Sequence, residues 1–298
     1  MVSPLWARHI PSTSSMARTI YILGAGFSAT CGIATDANML EALNPLMDDT
    51  PPPKAPNTPG TDIDYLRNQL FPGRKEIGFE AFMSILSGQS FLPECLYPNE
   101  KGNSIPEQQE QNIENVLRKY LESKVGDAVI KGLDNPICKF ISRVNWDTDI
   151  VITFNYDLLL EKFLEEQKIK PRHEIIHLHG SLTDQVLVYP NYRKFTDQEQ
   201  RRYFSERWKR AFQYLRGQKD NEPVCEWVFI GYSMPVTDAE ALGLFAYADY
   251  YNYGSAEYKY SISVINPDPG VMKNYAFFRK EITHFRLTLE EYLTHQNI

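Results

Sequence analysis

Five short runs of β-branched and aromatic residues, each stopped by a small or polar residue, constrain this 298-residue chain more than any other feature. They are Thr19-Ile20-Tyr21-Ile22-Leu23, Ile150-Val151-Ile152-Thr153-Phe154, Ile175-Ile176-His177-Leu178, Trp227-Val228-Phe229-Ile230 and Ile262-Ser263-Val264-Ile265. Short, largely apolar runs of this kind predict strands buried on both faces, the pattern of parallel sheets. Most lead into a helical pattern, and strands alternating with helices predict a doubly wound, Rossmann-type α/β sheet with helices on both faces. Ligands of such sheets bind at the carboxyl ends of the strands.

The interval between the first two strands breaks the alternation. A helix from about Ala37 to Met47 is followed by a proline-rich loop, Pro51-Pro52-Pro53 to Pro59, and by helical patterns from Phe79 to Leu86 and from Glu107 to Lys131. This reads as a helical insert at about residues 37–147, covering one end of the sheet within a single domain spanning 17–298. A further helix is expected from about Thr196 to Leu215. After Asp268 a helix, a strand and a terminal helix near Leu289–Leu293 are expected. Residues 1–16 are rich in serine and proline and lack acids, a faint likeness to an organelle transit sequence. They read more simply as a disordered tail, upstream of a start at Met16.

A net charge of -7 argues against a nucleic-acid surface, which needs a basic stripe. The candidate stripe is Arg201, Arg202, Arg207, Lys209 and Arg210; Glu199 and Glu206 interrupt it, so it reads as a solvated helix face. Cys31, Cys95, Cys138 and Cys225 lie far apart, without a CxxC pair, so neither a metal site nor a disulfide framework is expected. No apolar run approaches the roughly 20 residues that cross a bilayer. A soluble protein of the cytoplasm is the expectation.

Chemistry is concentrated at the strand ends. Gly24-Ala25-Gly26-Phe27-Ser28-Ala29 follows a strand and opens a helix, satisfying the G-x-G-x-x-G/A pattern of dinucleotide sites. A dehydrogenase would place an acid at the end of a second strand about twenty residues on. Here that stretch, Asn38 to Leu43, is helical and the dehydrogenase pattern fails. Asn155 and Asp157 sit after the second strand, where both can face a crevice or cap the helix that follows. His177 and His179 share one face of the third strand, and Gly180 lets the chain turn beside His179. A histidine there serves either as a structural residue or as a base. Gly231-Tyr232-Ser233 and Asn266-Pro267-Asp268 close two more strands.

In this order the motifs resemble the sirtuin family. Gly24-Ala25-Gly26-Phe27-Ser28, continuing to Gly32-Ile33, is similar to its GAGxS…GI loop. Phe154-Asn155-Tyr156-Asp157 resembles its QNxD element, His179-Gly180 its HG pair, Gly231-Tyr232-Ser233 its GTS element and Ile265-Asn266 its late IN. The departures are informative. Between Gly180 and Gly231 only Cys225 stands where deacylating sirtuins carry a four-cysteine zinc module. Ala34-Thr35-Asp36-Ala37 replaces their Pro-Asp-Phe-Arg. The wording Leu-His-Gly-Ser-Leu and Gly-Tyr-Ser-Met-Pro-Val-Thr-Asp instead resembles sirtuin-like domains of bacterial anti-phage defence systems, which hydrolyse NAD+.

That resemblance implies NAD+ as substrate, no metal, and a bacterial source. Asn155 would orient the nicotinamide ribose and the attacking water, His179 would act as general base, and Asp157 would shape the nicotinamide pocket. Gly24, Ala25, Gly26 and Ser28 would hold the phosphates, and Gly231, Ser233 and Asn266 the adenosine side. It also implies control by homo-oligomerisation or by a separate activating protein, such as an ATPase or sensor. Tyr247, Tyr250, Tyr251 and Tyr253 read either as an assembly surface or as core. Two other activities fit the motifs less well: an NAD-dependent protein deacylase, which wants the missing cysteines, and a non-catalytic NAD or ADP-ribose sensor.

Overall fold

The computed structural model describes residues 18–47, 77–89, 105–132, 134–185, 187–189, 198–217, 224–253 and 260–295. The expected tail at 1–16 and proline-rich loop at 51–59 lie outside the described residues. Six parallel strands form one sheet in the order β3-β2-β1-β4-β5-β6. They are β1 (Arg18–Leu23), β2 (Ile150–Thr153), β3 (Ile176–His177), β4 (Val224–Ile230), β5 (Ser261–Ile265) and β6 (Ile282–Phe285). This is the strand order of the Rossmann fold, with the reversal between β1 and β4.

β1 to β5 are largely buried on both sides, as their composition requires, while the edge strand β6 is only half-buried; successive residues feed two separate cores. Ile20, Ile22, Ile152, Trp227, Phe229, Ile262 and Val264 join one cluster, together with α7 (Gln198–Leu215) and α8 (Ala239–Tyr253). Leu23, Val151, Val228, Ile230 and Ile265 join the other. That second core is built with α2 (Asp36–Met47), α3 (Phe79–Gln89), α4 (Ile105–Lys131), α5 (Pro136–Ile141), α6 (Leu159–Glu166) and α9 (Leu289–His295). The inserted helices α2, α3 and α4 pack on one another, sharing this core through Leu40, Phe82 and Leu117. They are part of the body of the domain as well as a cover over the carboxyl ends of the strands.

Local departures from the expected elements have physical causes. β3 is only two residues long: Gly180 takes φ +84° and turns the chain away, although Leu178 N–H still donates to Thr153 O at 3.0 Å. After Asp268 the expected helix is a 3₁₀ turn, Pro269–Tyr275, with Gly270 N–H donating to the Asp268 carboxylate at 2.7 Å. On α8 the tyrosines 247, 250, 251 and 253 are 49–65% exposed, which removes the core reading and leaves them on the surface. Arg216 lies over Tyr251 and Arg279 over Tyr250, at 4.2 and 5.1 Å from the ring centres. Among the described residues no helix is long and apolar enough to cross a membrane.

Candidate active site

At the centre of the sheet, the turns after β1 and β4 are pressed together. Gly24 N–H donates to Ile230 O at 3.0 Å and Gly26 N–H to Gly231 O at 2.9 Å. A Cβ on Gly26 would come within 2.7 Å of Gly231 Cα, and one on Gly231, at φ +60°, within 2.4 Å of Phe27 N. The glycines are thus demanded first by the contact between two protein turns. The five-residue helix that follows, α1 (Ala25–Ala29), then carries Ser28 inward.

The turn after β2 fastens onto this pair. Asn155 donates from Nδ2 to Gly24 O and to Ser28 Oγ, both at 3.0 Å. Two acceptors on one nitrogen fix which way the amide points, because only the NH₂ end can donate to a carbonyl. The Asn155 Oδ1 atom is thereby left as the acceptor. The Ser28 hydroxyl in turn donates to the Asp157 carboxylate. Burial pushes the Asp157 carboxyl above the usual range, while the Ser28 hydroxyl and Leu159 N–H (3.1 Å) pull it down. Asp157 thus accepts from the first N–H of α6, whose N-cap residue is Leu158, and also lines the site.

The segment after β3 brings His179 to the same place. Its imidazole is buried, with Nε2 2.8 Å from Asp238 Oδ2 and the Phe154 ring edge-on at 4.9 Å. Asp238 is fully buried, and its other oxygen accepts from Ala241 N–H at 3.0 Å, at the start of α8. The next residues are held by α7. Arg207 grips Asp184 through both terminal nitrogens at 2.7 and 2.8 Å, and Asp184 accepts from Ser181 N–H and Oγ–H. Trp208 Nε1–H donates to Leu178 O at 3.0 Å. Arg207 is therefore not part of a solvated stripe, and Arg210 pairs with Glu174. Arg207→Ala is expected to destabilise the chain near the lower end of the about 3–5 kcal/mol that breaking a buried pair costs, since Arg207 keeps some exposure. Urea unfolding measures it.

Gly24, Ala25, Ser28, Asn155, Asp157, His179, Gly231 and Ser233 all line one cavity of ≈ 150 Å³. Gly26 packs behind it. Asn266 stands outside that lining, at the end of β5, where Oδ1 accepts from Asp268 N–H at 3.0 Å and the backbone oxygen faces His284 Nε2 at 2.9 Å. Sequence reasoning missed three acids in the wall: Asp36 and Glu80 from the insert, and Asp238. Asp36 Oδ1 accepts from Glu80 N–H at 2.6 Å, joining α2 to α3, and burial raises its carboxyl above the usual range. The described lining holds four carboxyl side chains and neither lysine nor arginine. Among the described residues no three histidine, cysteine or acidic side chains converge as a metal-binding group.

His177 has a different task from its neighbour. Its Nδ1 faces Asn155 O at 2.9 Å and its Nε2 faces Glu161 Oε1 at 2.7 Å. Both partners are acceptors, so only the imidazolium satisfies both. Burial works against that charge, but the Glu161 carboxylate and the Asn155 carbonyl outweigh it, and the imidazole titrates above its usual range. A raised value contributes stability that is fully present below the unfolded value of about 6.5 and is lost as pH rises through the folded one. Glu161→Gln is thus expected to lower the melting temperature most at about pH 5.5–6.5, with the gap from wild type narrowing at alkaline pH. An equal gap at every pH would contradict this.

No family model matches the chain, and no curated relative matches it. Among solved structures it is similar to the one described as Sir2Tm bound to a propionylated peptide. The identity is 14% over 94% of this chain and 92% of that one, with a TM-score of 0.36. A likeness that distant carries no argument about this site. The parallel sheet and its switch point rest on the strand order itself.

Proposed function

We propose that this chain is a sirtuin-like NAD+ glycohydrolase, cleaving NAD+ to nicotinamide and ADP-ribose. The observation that carries the reading is the buried His179–Asp238 pair facing the same cavity as Asn155, at the carboxyl ends of the strands of a Rossmann-type sheet. The pyridinium of NAD+ leaves as neutral nicotinamide, so the enzyme need not protonate it. What it must do is stabilise positive charge on the ribose and supply an activated water, as in other glycosidic cleavages. The four carboxyl groups of the wall favour that cation. Asn155 Oδ1 accepts a hydrogen bond from the water or a ribose hydroxyl, and orients it. His179 takes a proton as the water oxygen bonds C1′ and the C1′–N bond breaks with its electron pair on nicotinamide. Asp238 steadies the imidazolium so formed. The Gly24–Ser28 turn meets the phosphates with its backbone, with Ser233 and Asn266 towards the adenosine.

The biological reading follows from the Gly231–Asp238 wording and from the lack of a four-cysteine module between Gly180 and Gly231, where Cys225 stands alone. NAD+ depletion would serve anti-phage defence, switched on by self-assembly or by an activating protein. The exposed tyrosines of α8 are a candidate surface for such contacts. Incubation of the protein with NAD+ alone, without any acylated peptide, tests the chemistry. Nicotinamide and ADP-ribose in equal amounts support hydrolysis, whereas turnover only with an acylated peptide supports acyl transfer.

A further inference from the structure

Tyr232 carries a buried hydroxyl that makes no hydrogen bond among the described residues. The rest of the residue is fully engaged. Its ring stacks on Phe154 with centroids 4.2 Å apart and planes 7° from parallel, and its carbonyl accepts from the Tyr275 hydroxyl at 2.7 Å. Phenylalanine would serve that packing equally well. A buried hydroxyl left unsatisfied costs about 1–3 kcal/mol, and buried polar groups are nearly always paired. The neighbouring tyrosine of the same wall obeys the rule: Tyr156 donates to Val188 O at 3.0 Å.

Tyr232 lines the cavity with Asn155 and His179. Burial, followed by the charges of Asp238, Tyr275 and Glu80, pushes its hydroxyl well above the ordinary phenol range. Asp238 and Glu80 line the cavity too, so the Tyr232 oxygen sits within their field and stays a neutral O–H donor. A phosphate is repelled from such a place. A group that accepts from the tyrosine and donates onward to a carboxylate fits it, and a sugar hydroxyl does both.

We propose that Tyr232 is a substrate-binding residue whose hydroxyl donates to a ribose hydroxyl of the nucleotide beside His179. The proposal rests on the NAD+ reading above and gives that site a specificity group. Tyr232→Phe tests it, because an internal bond and a ligand bond move two readouts in opposite ways. Without ligand, the variant is expected to melt at the wild-type temperature or higher. Its Kd for ADP-ribose is expected to rise about 2–10-fold, the worth of one hydrogen bond. Its Kd for nicotinamide should stay unchanged. A lowered melting temperature with ADP-ribose binding intact would overturn the proposal, as would unchanged binding of both compounds or a loss confined to nicotinamide. Wild-type protein that binds no ADP-ribose defeats the nucleotide reading itself; wild-type binding matched by the variant defeats only the role of Tyr232.

Discussion

Alanine at His179 is expected to slow nicotinamide release by about 10²–10⁴-fold, the usual worth of a general base, while ADP-ribose still binds. The separation of the two effects follows from geometry. His179 is buried against Phe154 and Asp238, and it is the histidine among the described residues that line the cavity. Removing it leaves the Gly24–Ser28 turn and Ser233 in place. Asn155→Ala should lower the rate comparably, and it also removes two bonds to Gly24 O and Ser28 Oγ. Some loss of melting temperature is therefore expected for Asn155→Ala beyond that of His179→Ala. Asp238→Asn keeps the shape and removes the charge, so it should lower kcat with little change in KM. Unchanged turnover in His179→Ala would remove the assignment of the base.

The largest expected effect on folding is at Gly231. Alanine there must adopt φ +60°, a left-handed conformation costing about 1–2 kcal/mol. Its Cβ would also press to within 2.4–2.5 Å of the Phe27 and Gly26 backbone, where neither turn can yield. Overpacking of that kind adds about 1–3 kcal/mol. A total of about 2–5 kcal/mol is a large part of the 5–15 kcal/mol typical of a domain. Gly32→Ala is the matched control. Gly32 has φ +83° with nothing within 4 Å of the added carbon, so it should incur the backbone cost alone. Urea unfolding of both variants separates crowding from conformation. Equal losses at the two positions would mean that the two turns part to admit the methyl group.

The architecture was legible because each of β1 to β5 ends an apolar run at a clear stop, and a parallel sheet demands little else; the edge strand β6, Ile-Thr-His-Phe, carries no such run. Asn155, Asp157 and His179 were legible for a related reason. The residue after a strand is fixed in space by the strand, so polar residues at several carboxyl ends must gather along one edge. Asp238 was not, because it lies several residues beyond β4, before a helix, where an aspartate reads as a cap. It is a cap, through one oxygen, and only the tertiary fold brings the second oxygen to His179. Asp36 and Glu80 were hidden in the same way, as polar positions on amphipathic helices whose docking the sequence does not specify. The glycines misled in a subtler sense. Their pattern suggested room for a phosphate, whereas their first obligation is to one another across β1 and β4. Arg207 and Arg210 read as part of a solvated face because their partners, Asp184 and Glu174, stand on another segment.

The account stands on one chemical claim: that the cavity holding Asn155, His179 and Asp238 cleaves the nicotinamide–ribose bond with water as acceptor. The direct test is to incubate the purified chain with NAD+ over a wide range of protein concentrations and quantify nicotinamide and ADP-ribose, with His179→Ala run in parallel. Equimolar release by the wild type, rising steeply with concentration if assembly activates it and absent in the variant, is the predicted result. NAD+ recovered intact from protein shown to bind it, at every concentration and with acylated peptide also present, would contradict the claim and leave a site that binds the nucleotide without cleaving it.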